Sequence, residues 1–173
     1  QDQVFSLTER EKALMTDTDA SLAYHSVLEG EAVLVMVAHM LTKAGIDLDE
    51  AVRDEEMRGL ITSASQADAM IDPATPRYFA EMLKFPYLQG LDFVLQTYRR
   101  GGWKAVDDLH ARPPKSTREL LHPEEYFARR EPAAVPKVKK PPEGAIAAEH
   151  LGEFHWRFLV GADRARGLAS DRA

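Results

Sequence analysis

The chain has 173 residues, 45% of them apolar and 29% charged, and a formal net charge of −6. That is enough for one folded domain with its own core, and no basic block is present to grip a phosphate backbone, so nucleic acid is not an expected partner. The absence of cysteine removes disulfide frameworks, thiolate metal sites and cysteine nucleophiles together, and leaves the compartment open.

The chain opens on Gln1 rather than methionine, as a processed product or a fragment would. No run reaches the ~18–20 apolar residues needed to span a bilayer, so no membrane span is expected. Residues 1–16 mix Val4, Phe5 and Leu7 with Thr8-Glu9-Arg10-Glu11 and read as a solvated turn or a short helix. Asp17, Thr18 and Asp19 then offer N-cap oxygens to a long helix that should stop at Gly45. From Ala32 to Leu41 that helix is apolar except for His39. Such a segment is apolar all round and should be buried centrally, with His39 a hydrogen-bonded core histidine.

Just before the run stands Glu29-Gly30-Glu31-Ala32. At 100° per residue Glu29 shares a stripe with Leu22, Val33, Met36 and Met40, while Glu31 falls nearly opposite, near Val27, Val35 and Ala38. A carboxylate drawn into such a helix needs a cation or several donors, because its uncompensated burial costs several kcal/mol (roughly). Glu29 therefore reads either as a metal ligand or as one half of an ordinary ion pair. His25 lies four residues earlier on the same face, and the two together could hold a divalent metal, although exposed helices often carry such pairs. Gly30 costs about 1 kcal/mol relative to alanine in a helix, but lets another backbone come close.

Asp47 or Asp49 caps a second helix of roughly 49–63 with Val52, Met57, Leu60 and Ile61 at helical spacing. Thr75-Pro76 starts a third, about 76–84. Pro86 opens a fourth, about 86–100, ended by Gly101-Gly102, and Trp103–His110 makes a short fifth. After Pro113-Pro114, Ser116 and Glu119 stand three apart as a capping box for a short helix through Leu121. His122, before Pro123, is either a catalytic donor or a residue at a helix C-terminus. Pro132, Pro136, Pro141 and Pro142, interspersed with Lys137, Lys139 and Lys140, make 132–144 an extended linker. A last helix, about 145–168, carries His150, Leu151, Phe154, His155, Trp156 and Phe158; Trp103 and Trp156 read as packing residues. The expected architecture is mainly α, with little or no sheet. It has a helical core over 1–131 around the Glu-Gly-Glu-Ala helix, the linker, and a C-terminal helix at 145–173 packing back on the core. No phosphate-binding glycine loop, Gly-x-Ser-x-Gly or His-Glu-x-x-His occurs in these residues.

Six segments in order carry a resemblance: Gln1-Asp2-Gln3; Leu28-Glu29-Gly30-Glu31-Ala32; Pro86-Tyr87-Leu88-Gln89-Gly90; Gly101-Gly102-Trp103; the stretch from Pro113 to Tyr126; and Leu151-Gly152-Glu153-Phe154. Together the chain resembles a family of bacterial zinc metallopeptidases of the gluzincin kind. There a His-Glu-x-x-His helix runs directly into Ala-Leu-Gln-Asp-Gln, and a later Glu-Gly-Asp-Ala helix gives the third zinc ligand. This sequence starts at the Gln-Asp-Gln and reads Glu-Gly-Glu-Ala. The resemblance implies a zincin-like fold, Zn2+ held by Glu29, a peptide or protein substrate and an extracytoplasmic bacterial location. It also implies an upstream segment or a partner chain that completes the site. Under it, His122 and Tyr126 are candidate donors to an oxyanion and Glu153 a residue that orients a histidine. The alternative is a non-catalytic helical interaction or scaffold domain that keeps the fold without the metal.

Overall fold

Every regular element among the described residues is a helix; no strand occurs among them. The computed structural model describes residues 6–14, 17–63, 71–129, 143 and 150–161. In chain order the helices are α1 (Leu7–Leu14), α2 (Thr18–Lys43), α3 (Leu48–Arg53), α4 (Glu55–Ser63), α5 (Arg77–Ala111), α6 (Thr117–Leu121), α7 (Pro123–Phe127) and α8 (Glu153–Val160). The chain divides into two compact units. One comprises Gln1–Leu22 with Pro114–Ala173, the other Ala23–Pro113. Apart from Glu143, the proline-rich stretch 132–144 lies outside the described residues, as do 145–149 and 162–168 of the expected last helix.

The long helix α2, most of which lies in the 23–113 unit, starts and stops where its cap residues dictate. The Asp17 carboxylate accepts from the Ala20 backbone N–H at 2.9 Å, and Gly45 takes a positive φ of 74° just past its end. Its buried side is Ala23, Tyr24, Val27, Val33, Leu34 and Val37. The expectation that 32–41 is buried all round is corrected here. Ala32, Val35, Met36, His39 and Met40 are exposed. Their spacing of i, i+3, i+4, i+7 and i+8 is one helix face, so the second half of α2 is covered on one side and open on the other. His39 is on the open face and is not a core histidine. By length and composition α2 could cross a membrane, but half of its most apolar stretch is buried in the protein, as in an ordinary core helix.

α2 and α5 meet backbone to backbone. A Cβ on Gly30 would collide with the carbonyl of Gly90 and come within 2.7 Å of the Leu91 nitrogen; one on Gly90 would collide with the carbonyl of Ser26. Only hydrogen at both positions permits this approach. Beyond the crossing α5 buries Leu91, Phe93, Val94, Leu95 and Tyr98.

The helix boundaries differ from the sequence pattern at three places. The single helix expected over 49–63 is two, because Asp54 leaves the helical region (ψ 127°) and its carboxylate accepts from the Met57 N–H at 2.8 Å, capping α4. The helices expected at 76–84 and 86–100 are one, running through Pro86. A proline there removes a single backbone donor, and the burial of Phe85 and Pro86 holds the helix continuous. The break expected at Gly101-Gly102 is present: Gly102 adopts φ 63°, ψ −158°, and the chain turns into a second helical segment. There Trp103 packs edge-on to Tyr98 at 5.1 Å, Val106 and Leu109 are buried, and Tyr98 donates to Asp49 Oδ1 at 2.8 Å. Burial, then Asp49, pushes the Tyr98 phenol up to about 12.

Gly30→Ala should destabilise the protein by about 3 kcal/mol or more, since the methyl meets backbone that cannot rotate away. Gly59→Ala, in α4 with nothing within 4 Å of the added carbon, should stabilise it by up to ~1 kcal/mol. Paired urea unfolding curves measure both, and equal effects would contradict the crossing.

Candidate functional site

The two carboxylates that flank Gly30 have different surroundings. Glu31 is the buried one: its Oε2 meets His110 Nε2 at 2.7 Å, with the imidazole fully buried. The glycine break in α5 makes this contact, because it returns the segment carrying His110 to the same unit's interior. Removing either partner of such a pair costs about 3–5 kcal/mol. Glu29 is only partly covered. His25 Nε2 lies 3.4 Å from Glu29 Oε1, with half of the His25 side chain exposed. The Tyr87 hydroxyl, one turn before Gly90 on α5, donates to Glu29; burial first, then the Glu29 charge and this hydrogen bond, hold the Tyr87 phenol above its ordinary 10.0.

The separation of His25 and Glu29 fits a metal. Two ligand atoms at 2.0–2.2 Å from a tetrahedral zinc stand roughly 3.4 Å apart. The pair supplies two of four positions at most. Among the described residues no group of three or more His, Asp or Glu side chains could hold a metal ion.

The chain matches no family model, no curated protein and no solved structure. What its residues can do chemically therefore rests on their own geometry.

His122 and Tyr126 belong to the other unit. Tyr126 is buried and packs edge-on to Phe127. His122 ends α6, and its Nε2 lies 2.9 and 3.1 Å from the two oxygens of Glu153. Glu153, whose side chain is 1% exposed, also accepts from Arg118 Nη1 at 3.1 Å and from Arg157 Nη2 at 2.8 Å. Arg118 in turn clasps Glu125 through Nε and Nη2. Burial alone would raise the Glu153 carboxyl, but the hydrogen bonds and charges of His122 and Arg157 outweigh it and hold it below its ordinary 4.5.

A second buried carboxylate organises the same unit. Asp19 accepts from the Thr117 N–H at 3.2 Å and the Thr117 hydroxyl at 2.5 Å, and Thr117 Oγ1 accepts from the Phe154 N–H at 3.2 Å. One aspartate thus caps α6, and the threonine it holds caps α8. This corrects the expected capping box: Ser116 makes no side-chain cap, while Glu119 reaches the Lys115 N–H. Gly152 leaves room for the Asp19 carboxylate, into which a Cβ would run. Burial pushes the Asp19 carboxyl above its ordinary value. His150, expected on the last helix, precedes it and lies 3.1 Å from Asp17 Oδ2.

Sequence reasoning passed over Tyr87, Glu31 with His110, and the capping role of Asp19. Each is a pairing of residues distant along the chain, and no local spacing announces it.

His155 is nearly fully buried, and burial depresses its pKa below the ordinary 6.5. The unfolded chain therefore takes up this proton before the folded one. Stability from this group is present above pH 6.5 and is lost as the pH falls below 6.5 toward the folded value. Chemical denaturation at pH 7.5 and 5.5 should give a lower midpoint at 5.5, and His155→Gln should lessen the difference; a midpoint that rises on acidification contradicts the assignment.

Proposed function

We propose that this chain is part of a zinc-dependent metallopeptidase-like domain in which Glu29, with His25 one turn before it, forms the carboxylate side of the metal site. The observation that carries the reading is the 3.4 Å separation of His25 Nε2 and Glu29 Oε1, which suits two ligands of one zinc. The glycine crossing supports it: Gly90 brings α5 close enough for Tyr87 to hold the Glu29 carboxylate. A His-Glu-x-x-His helix, in an upstream segment or a partner chain, supplies the remaining histidines and the general base. Peptide bonds are hydrolysed only with that helix in place. Zinc, when bound, acidifies a water and polarises the scissile carbonyl. Glu29 holds and orients, and Tyr87 fixes Glu29. The resemblance described above supports the class; the substrate is a peptide or protein.

The second reading is a non-catalytic helical interaction domain, and the open face Ala32, Val35, Met36 and Met40 of α2 favours it. An exposed apolar stripe at helical spacing suits a partner helix as well as a completing segment.

The codons ahead of Gln1 in the native gene discriminate first: a His-Glu-x-x-His ending three residues before Gln1 is the expected result. The 173-residue chain alone should lose zinc on desalting, whereas the polypeptide bearing that motif should keep one zinc per chain. Glu29→Gln there should weaken retention at least ~100-fold, beyond the loss caused by outer-shell changes. Zinc and peptidase activity unaffected by Glu29→Gln would refute the ligand role, and absence of the motif would leave the interaction reading.

A further inference from the structure

The open face of α2 has an internal order. Glu29, Ala32, Met36, Met40 and Lys43 follow one another at steps of three, four, four and three residues, so they form one stripe along the helix. Ala32, Met36, Met40 and Lys43 are exposed, and Glu29 is partly so. Exposed Val35 and His39 flank the stripe on one edge; buried Val33 closes the other. Apolar surface gathered on one helix face marks a contact with another element. The stripe is also complementary to its own reverse. Seven residues before and after Met36 stand Glu29 and Lys43; four before and after stand Ala32 and Met40. An antiparallel second α2, with Met36 on the two-fold axis, therefore sets anion against cation at both ends. It also sets the small Ala32 against the long Met40 on both sides of the centre, as closely packed helices require. Methionine at the axis adapts its shape to the gap. Two parallel copies in register would instead put Glu29 on Glu29 and Lys43 on Lys43, which repel.

We propose that the face of α2 from Glu29 to Lys43 docks a second copy of this chain in an antiparallel two-fold contact centred on Met36. A two-fold interface joins one patch to itself, so the patch must be self-complementary, and the order of charge and side-chain size along this stripe meets that condition. The opposed macrodipoles of two antiparallel helices favour the same arrangement. The contact goes beyond the zinc reading and needs no metal.

The chain has no cysteine, so a single introduced thiol reports on the contact alone. The test is disulfide crosslinking of single-cysteine variants at exposed positions, alongside sedimentation equilibrium of the unsubstituted 173-residue chain. The unsubstituted chain should sediment as a dimer, and Met36→Cys should crosslink with itself. Ala32→Cys and Met40→Cys should each crosslink with themselves at least ~10-fold more slowly. Like positions four residues from the axis stand about 12 Å apart along the helices, beyond the ~7 Å that a disulfide spans. Mixed together, these two variants should crosslink to each other. Met36→Lys places two ammonium groups at the axis and should give a monomer whose helix content, by circular dichroism, is unchanged. Lys43→Glu should loosen the dimer up to ~5-fold at low salt. A monomeric unsubstituted chain would overturn the proposal and leave the face to another occupant. Self-crosslinking of Ala32→Cys or Met40→Cys as fast as that of Met36→Cys would overturn the register, and a Met36→Lys chain that stays dimeric would overturn the surface.

Discussion

The contact on which the 23–113 unit depends is the meeting of Gly30 and Gly90. Two helices that touch through backbone atoms leave no room for any side chain between them, so the residues beside the glycines are placed with little freedom. Glu29 is set against Tyr87, and Glu31, on the far side of α2, is turned inward to His110. A single glycine thus separates a carboxylate that is buried and paired from one that stays reachable. The division is physical: Glu31 meets a fully buried histidine, whereas the histidine beside Glu29 is half exposed and leaves that carboxylate open to solvent.

The other unit is organised by two further buried acids, used in opposite ways. Asp19 serves backbone and hydroxyl donors: it ends the unsatisfied N–H groups at the start of α6 and, through Thr117, at the start of α8. Glu153 serves side-chain cations and fixes the ring of His122. Burial wins at Asp19, whose carboxyl is raised; hydrogen bonds and cations win at Glu153, whose carboxyl is lowered. The same low-dielectric surroundings give shifts of opposite sign because the partners differ in charge.

Helix content and the strongest boundaries are legible in the sequence. Asp17, Gly45 and the Gly101-Gly102 break act through their own backbone chemistry and need no tertiary information. Asp54 shows the limit: its capping oxygen competes with helix continuation, and the apolar spacing on both sides hides the break. Pro86 shows the reverse, since burial of its neighbours keeps a helix that the local rule would end. The apolar run at 32–41 correctly marks a long helix, but periodicity cannot say how many of its sides other elements cover. At the candidate site the His25–Glu29 pair is readable because both lie on one helix, four residues apart. Tyr87 and His110 come from positions far along the chain, and only the fold brings them to Glu29 and Glu31.

The central proposal, that Glu29 is a zinc ligand, is tested most directly by anomalous diffraction at the zinc edge. The crystals should contain this chain together with the segment that carries His-Glu-x-x-His. A zinc peak about 2.0–2.2 Å from a Glu29 carboxylate oxygen is the predicted result. A zinc peak elsewhere, with Glu29 bonded only to Tyr87 and His25, would contradict it.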